Sequence, residues 1–378
     1  MTKRVLIIGG YGNFGSYITE KLVCEPNLQI IISGRSEEKC RACAEKFKTA
    51  PNPPEYKVLD INNGLPEALK EIAPDIVIHT SGPFQGQGYE VAEACIAQGC
   101  HYIDLADGRA FVVDIKSLDE KAKERGVAVI SGASSVPCLT AAVVDHHLPE
   151  FKELTKIEYG IATVRTNTGL ATTAAILGYA GKRFKTLIDG KMRNVYGWQD
   201  LTAYQYPEIG TRLLGNCDIP DLALFPERYK QLKTIRFYAG LELSSLHLGL
   251  WALSWLVRLH VLKSLAPFAA TLLKISRVFD AIGSNNSAFH MKMSGVGKDG
   301  KGKTVIFYLI AKSGHGPFIP AIPSILCAKM LAQGAIQQHG AFVCMGIISL
   351  EQYLEALRGL DITSQTKISS PACGRGLR

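Results

Sequence analysis

Short apolar runs alternate with amphipathic stretches through the first third of the chain. Residues 3–8, Lys-Arg-Val-Leu-Ile-Ile, predict a buried strand, and the turn Gly9-Gly10-Tyr11-Gly12-Asn13-Phe14-Gly15 follows it. A helix is expected from about Ser16 to Cys24, ended by Pro26-Asn27. Leu28 to Ser33 is an almost unbroken apolar run, the pattern of a parallel strand buried on both faces. A basic helix over about 37–48, a third strand from Tyr56 to Leu59, a helix over about 64–72 and a fourth strand from Asp75 to His79 come next. Gly88 to Gln98 reads as helix, His101 to Asp104 as a fifth strand, about 111–125 as helix and Val127 to Ser131 as a sixth strand. Strands alternating with helices at short intervals imply right-handed βαβ units and a parallel sheet over about residues 1–135.

The pattern then changes. Lys156 to Arg165 predicts a longer strand and Thr168 to Ala180 a helix, while residues 190–235, rich in Tyr, Pro, Gly and Arg, carry no assignable period. Residues 288–295 and 303–312 predict two strands joined by the polar turn Lys298-Asp299-Gly300-Lys301-Gly302, and such a hairpin points to a mixed or antiparallel sheet in a second domain. Residues 320–333 and 349–358 read as helices, and the polar tail after about Ile362 as frayed. Residues 241–275 are unusually apolar. The uncharged run Leu243 to Val257 is 15 residues long, short of the ~20 that a spanning helix needs. On a helical wheel His247, Ser254 and Arg258 share a narrow polar stripe with Trp251 intruding. Two readings follow: a buried helix or subunit interface, which suggests a homodimer, and a helix lying in a membrane surface.

Composition narrows the class. Hydrophobic residues make up 47% of the 378 and charged residues 20%, as in ordinary globular proteins. The net charge of +8 is spread along the chain, without the concentrated Lys/Arg block of a nucleic-acid binder, and suits an anionic substrate, a phosphorylated cofactor or an anionic membrane surface. Ten cysteines fall at irregular spacings and the first apolar run is too short for a signal peptide, so free thiols in the cytoplasm are expected. Cys40 and Cys43 form a lone CxxC, and His146-His147 lacks further ligands nearby; no metal site is expected from either.

The candidate chemistry starts at the first turn. Gly10-x-Gly12-x-x-Gly15 follows a strand and opens a helix, the context a dinucleotide site requires. Gly10 permits the tight turn, Gly12 lets the backbone approach a pyrophosphate, and Gly15 allows close helix–strand packing. Tyr11, Asn13 and Phe14 complete the cofactor-binding turn, whose helix N-terminus offers N–H groups to the phosphates. The second strand ends in Ser33-Gly34-Arg35-Ser36, with no carboxylate at the tip to hold a ribose 2′-hydroxyl. Arg35 can instead hold a 2′-phosphate, with Ser36 adding a bond, so NADP(H) is favoured over NAD. Asp60 and Ile61 are expected to flank the adenine, and Ser81-Gly82-Pro83-Phe84 to form a loop beside the ribose and nicotinamide.

Groups that handle a substrate are expected at the carboxyl ends of strands four to six. Tyr102, Asp104, Asp107 and Arg109 follow the fifth, Ser134 and Ser135 the sixth. Asp107 is the first choice for a catalytic contact to an amine or imine, since a carboxylate stabilises the cation developing there. Tyr102 and Asp104 are further catalytic candidates, although Asp104 also suits a strand-end cap. Ser134, Ser135 and Arg165 are substrate-binding candidates, the last beside a Thr-led helix start that could hold a carboxylate.

Together these residues resemble the saccharopine dehydrogenase-like oxidoreductases. The match rests on Gly-Gly-Tyr-Gly-Asn-Phe-Gly, on Ser81-Gly82-Pro83-Phe84 with Gly88, Val91 to Cys95, Gly99 and His101-Tyr102-Ile103-Asp104, and on Gly316-Pro317-Phe318-Ile319-Pro320 with Gly334 and Gly340-Ala341. The resemblance implies an α/β protein: an NAD(P)-binding Rossmann domain over 1–137, an inserted mixed α/β substrate and dimerisation domain over 138–316, C-terminal helices over 317–362 returning to the Rossmann domain, and a flexible tail over 363–378. It implies hydride transfer to or from a small amino- or imino-type substrate. The Asp-Pro-Gly turn of lysine-pathway reductases is replaced by Gly132-Ala133-Ser134-Ser135-Val136-Pro137, and the apolar 241–275 stretch resembles the membrane- or lipid-droplet-associated branch. The alternative expectation is thus a membrane- or lipid-associated NADP-binding protein without strong catalytic activity, in peripheral contact through 241–275.

Overall fold

A computed structural model describes residues 2–163, 169–277 and 283–369. The chain divides into two compact units, residues 1–139 with 317–348 and residues 140–316 with 349–378.

The first unit is a doubly wound α/β fold. Its strands are β1 (Lys3–Ile8), β2 (Leu28–Gly34), β3 (Glu55–Val58), β4 (Ile76–His79), β5 (His101–Asp104) and β6 (Ala128–Ser131). Helices α1 (Asn13–Leu22), α2 (Glu37–Lys46), α3 (Leu65–Ile72), α4 (Glu90–Gln98), α5 (Arg109–Val113) and α6 (Asp119–Glu124) connect them. The sheet runs β6-β5-β4-β1-β2-β3, and the strand Gly340–Val343 extends it in parallel beside β6. The order reverses between β1 and β4, which makes their carboxyl ends the switch point where ligands bind in such sheets. Val5, Leu6, Ile7 and Ile8 are all buried because β1 is covered on both faces. Helix α1 begins three residues before the expected Ser16, since Gly12 already has extended N-cap geometry. The single helix expected over 111–125 is broken into α5, a 3-10 turn at Asp114–Leu118 and α6.

The second unit centres on β7 (Phe151–Ala162), preceded by α7 (Thr140–His147) and followed by α8 (Leu170–Tyr179). Then come β8 (Arg183–Ile188), β9 (Lys191–Tyr196), β10 (Thr202–Tyr206), β11 (Gly210–Asn216), α9 (Asp221–Arg228), β12 (Thr234–Gly240), α10 (Ser244–Arg258), α11 (Ala269–Arg277), β13 (Ser287–Gly297) and β14 (Gly302–Ala311). The mixed sheet runs β10-β11-β12-β7-β13-β14 and ends in the strand Ile362–Ser369; β8 and β9 form a separate two-stranded ribbon. The expected hairpin is β13–β14, with register from Ser287↔Ala311 to Val296↔Gly302. β11 meets β12 only at Gly215 and Asn216, and Tyr204 on β10 stacks on His290 of β13 at 3.6 Å.

Three sequence expectations change. The strand placed at Lys156 to Arg165 runs from Phe151 to Ala162, and Arg165 lies outside the described residues. The tail was expected to fray, yet residues 362–369 form the last strand, pairing Ile362↔Ala311 through Ser369↔Thr304: ladder hydrogen bonds hold a polar sequence at a sheet edge. The segment expected as C-terminal helices is divided. The helix Ile322–Ala332 and the strand Gly340–Val343 belong to the first unit, whereas the helix Leu350–Ala356 belongs to the second.

Candidate functional site

The glycine turn is fixed from below. Gly9 takes φ +81°, where a Cβ would stand 2.6 Å from the Ser81 and Thr80 hydroxyls. Gly9 and Gly10 donate N–H to the Ser33 carbonyl at 2.9 and 3.0 Å, tying the turn to the end of β2. The Thr80 hydroxyl donates to the carbonyls of Ile8 (2.9 Å) and Gly9 (3.2 Å), tying it to the end of β4. A Cβ on Gly15 would press into the Gly9 carbonyl oxygen and stand 2.6 Å from Gly10 Cα, so α1 can approach the strand only with glycine there. Gly12 caps α1 without a side-chain hydrogen bond, and the first turn carries no acidic residue. These are the features of a helix terminus shaped for a phosphate, and the residues fit a dinucleotide pyrophosphate.

The neighbouring sites are arranged as follows. A Cβ on Gly34 would strike the Tyr11 ring, so Tyr11 covers the tip of β2; the Lys39 ammonium stands 5.9 Å from that ring. Arg35 is exposed just beyond the tip. Ser36 N-caps α2, its hydroxyl accepting from Lys39 N at 3.4 Å, a long bond. Asp60 closes a local turn instead of standing open: one carboxylate oxygen accepts from Asn62 N (3.1 Å) and Asn62 Nδ2 (3.2 Å). Ile61 packs against the core beneath. The Ser81–Phe84 loop holds a cis Gly82–Pro83 bond, and its carbonyls at Ser81 and Pro83 accept from Gln87 Nε2 at 3.0 and 2.7 Å. Phe84 is buried against His79 and Phe111, with centroids 5.1 and 5.2 Å apart. Cys40 and Cys43 are buried beside the turn, their thiols facing the Gly34 and Gly10 carbonyls, and burial pushes Cys40 up to about 11.

The catalytic candidates separate. Tyr102 and Asp104 are buried, and neither presents a polar atom at the sheet's edge. Tyr102 hydroxyl meets His79 Nδ1 at 3.1 Å. One oxygen of Asp104 accepts from Gly132 N (2.8 Å), Ala106 N (2.9 Å) and the Ser131 hydroxyl (3.0 Å), so this carboxylate fastens the ends of β5 and β6. Burial raises its pKa to about 6 despite those bonds. Both side chains help to hold the frame, and the second oxygen of Asp104 is buried without a hydrogen-bond partner among the described residues. Asp107 is exposed and accepts from Gln85 Nε2 at 3.0 Å, which joins the loops after β4 and β5. Ser134 is buried and Ser135 is half-buried at the start of the turn that follows β6. Gln85, Gln87 and Thr80 are not singled out by the sequence pattern: Thr80 and Gln87 bond strand and loop carbonyls, Gln85 bonds the Asp107 carboxylate, and none obeys a periodicity.

A strand–glycine turn–helix at a topological switch point defines the class: a nicotinamide-dinucleotide-binding α/β unit. Residues 5–130 match the family described as the saccharopine dehydrogenase NADP binding domain. The apo, histidine-tagged saccharopine dehydrogenase (L-Glu forming) of Saccharomyces cerevisiae shares the fold over 97% of this chain and 100% of its own, with a TM-score of 0.67 and 14% identity. A Caenorhabditis elegans protein called "Lipid droplet localized protein" is 29% identical over 143 residues, 35% of this chain and 34% of that protein. The chain thus matches about a third of the length of this curated relative.

Proposed function

We propose that the protein is an NADP(H)-dependent oxidoreductase of the saccharopine dehydrogenase-like kind, acting on a small amino- or imino-type substrate. The observation that carries the cofactor choice is Arg35, exposed where an NAD site would place a carboxylate. Its guanidinium can take a 2′-phosphate in a bidentate pair, with Ser36 and Lys39 alongside. Gly12 and the uncapped start of α1 hold the pyrophosphate. When bound, the nicotinamide supplies or accepts a hydride at the carbon bonded to nitrogen. Asp107, positioned by Gln85, then stabilises the protonated imine as a carboxylate and leaves its proton on the nitrogen. Ser135 is the remaining polar group at the end of β6 for substrate contact.

The test follows NADPH consumption with imines formed in solution from amino acids and aldehydes, and NADP reduction with secondary amines. Turnover on a member of either set is expected; cofactor binding without turnover on any of them would defeat the catalytic reading.

A second reading is favoured by α10. Its polar stripe points inward: His247 and Ser254 are fully buried, while Leu248, Leu256 and Leu259 are exposed at 43%, 37% and 64%. Val261, Phe268 and Ile275 add exposed apolar surface nearby in sequence. No helix among the described residues is long and apolar enough to cross a membrane. An apolar outer face on a helix that does not span suits peripheral association with a lipid surface, and the name of the Caenorhabditis elegans relative agrees with it.

A further inference from the structure

Three buried thiols meet in the first unit, drawn from three places in the chain. Cys138 follows β6, Cys327 lies within the helix Ile322–Ala332, and Cys344 comes directly after the strand Gly340–Val343. The Cys327 and Cys344 sulfurs stand 3.7 Å apart, in contact across 17 positions of sequence. The Cys344 thiol is also hydrogen-bonded to that of Cys138, which makes Cys344 the central sulfur. Its backbone is fixed, since Cys344 N donates to the Ser131 carbonyl at 2.9 Å. Thiols are weak donors and weak acceptors, so little hydrogen-bond energy is gained by setting them together. A small aliphatic side chain would fill the same space; what sulfur adds at such a contact is redox chemistry.

The strand Gly340–Val343 ends its sheet and pairs with β6 alone, from Gly340↔Ala128 to Val343↔Ser131. The segment 333–339 that leads into it from the helix is mostly exposed. A bond between Cys327 and Cys344 would close helix end, exposed segment and edge strand into one ring. We propose that Cys327 and Cys344 are a redox pair, which a peroxide converts to a disulfide that staples the edge strand to the helix before it. The Cys344 thiolate attacks one peroxide oxygen, the O–O bond breaks, and Cys344 becomes a sulfenic acid as hydroxide leaves. The Cys327 sulfur then displaces the sulfenic hydroxyl, which departs as water. Two thiols lose two electrons and two protons, and one hydrogen peroxide becomes two waters. Contact with Cys344 and burial hold the Cys327 thiol well above the ordinary value, as the bond to Cys138 and burial do for Cys344. The pair therefore stays protonated at neutral pH and reacts slowly, when the edge strand opens, and faster as pH rises. The staple is independent of any cofactor bound to the same unit.

The test treats the reduced full chain with hydrogen peroxide at neutral and at mildly alkaline pH, then alkylates it and maps the peptides by mass spectrometry. A peptide linked through Cys327 and Cys344 is expected, formed faster at the higher pH and released by dithiothreitol. Closing a loop of this length restrains its ends about 100-fold more tightly than the open chain. Amide exchange over 340–343 should therefore slow by about that factor in the oxidised chain, and not in peroxide-treated C327S. The exposed Cys24 reports in the same digest that the peroxide has acted, and the unaltered arm needs no variant to fold. Oxidised Cys24 with Cys327 and Cys344 both recovered as thiols would overturn the inference. So would a link from Cys344 to Cys138 in place of Cys327, or a linked pair with unchanged exchange over 340–343.

Discussion

Helices α1 and α10 turn opposite sides to solvent. In α1 the buried positions are Gly15, Tyr17, Ile18, Thr19 and Leu22, and the helix leaves its amino end free of a side-chain cap. In α10 the buried positions include His247 and Ser254, and leucines face outward. The first helix has ordinary amphipathicity, and its function sits at its end. The second buries His247 and Ser254 together with Leu250 and Val257 while leaving leucines outside, and its function is proposed to sit along its length. Polarity of a stripe tells which residues belong together; only the packing partner tells which way the stripe points. Here the partners are Trp198, 4.9 Å from the His247 ring, and Gln199, whose amide donates to Ser254 at 2.5 Å.

Four changes would break or sharpen this contrast. The largest effect is expected from Gly15→Val, which drives a branched side chain into the Gly9 and Gly10 backbone. It should abolish detectable NADPH binding and cost about 1–3 kcal/mol of stability in a denaturant titration, whereas an exposed α10 change such as Ala252→Val should do neither. Asp107→Asn comes next: turnover should fall about 100-fold with NADPH affinity unchanged in fluorescence titration, since only the charge facing the substrate is removed.

The third concerns acid. Burial holds His247 at about 4 and His290 at about 3 in the second unit. Between the unfolded value near 6.5 and those values the unfolded chain binds protons that the folded unit refuses, so stability falls as pH drops through that window, by about 2 kcal/mol per histidine at pH 5. In the first unit His79, lowered to about 4, and His101, also lowered by burial, act in the same direction, but Asp104, raised to about 6, and Asp107, also raised by burial, oppose them by gaining protons in the folded state first. The second unit should therefore loosen first on acidification. Its fluorescence reports this alone, because Trp198, Trp251 and Trp255 are the only tryptophans and all lie there. Equal loss of hydrogen-exchange protection in β1–β6 peptides would refute the difference. The smallest effect is expected from Ser254→Ala, which strips the Gln199 amide of its acceptor and should lower the unfolding free energy by about 1–2 kcal/mol in a denaturant titration.

The first unit was legible in the sequence because its constraints are local. The glycine spacing, the apolar β1 and β2 and the Gly82–Pro83 loop each record one steric need at one place. Element types through β6 follow the expected order, with ends shifted by a few residues. The second unit was not, because residues 190–235 fold into short strands whose partners lie far along the chain, such as Tyr206 on His290 at 2.9 Å. Two of the three catalytic candidates sit differently from expectation for a related reason. Tyr102 and Asp104 have the right chemistry at the right strand end, but their side chains turn into the frame, toward His79, Ser131 and Gly132. The final strand was missed because Thr, Ser, Gln and Lys at a sheet edge carry no apolar period.

The central claim is that the first unit takes its cofactor through a 2′-phosphate on Arg35. Fluorescence titration of NADPH and NADH against the wild type and Arg35→Ala tests it most directly. NADPH should bind more tightly than NADH, and the substitution should weaken NADPH by about 10- to 100-fold, as loss of hydrogen bonds to a charged group does, while leaving NADH nearly unchanged. Equal binding of the two cofactors by the wild type, or a preference that survives Arg35→Ala, would contradict it.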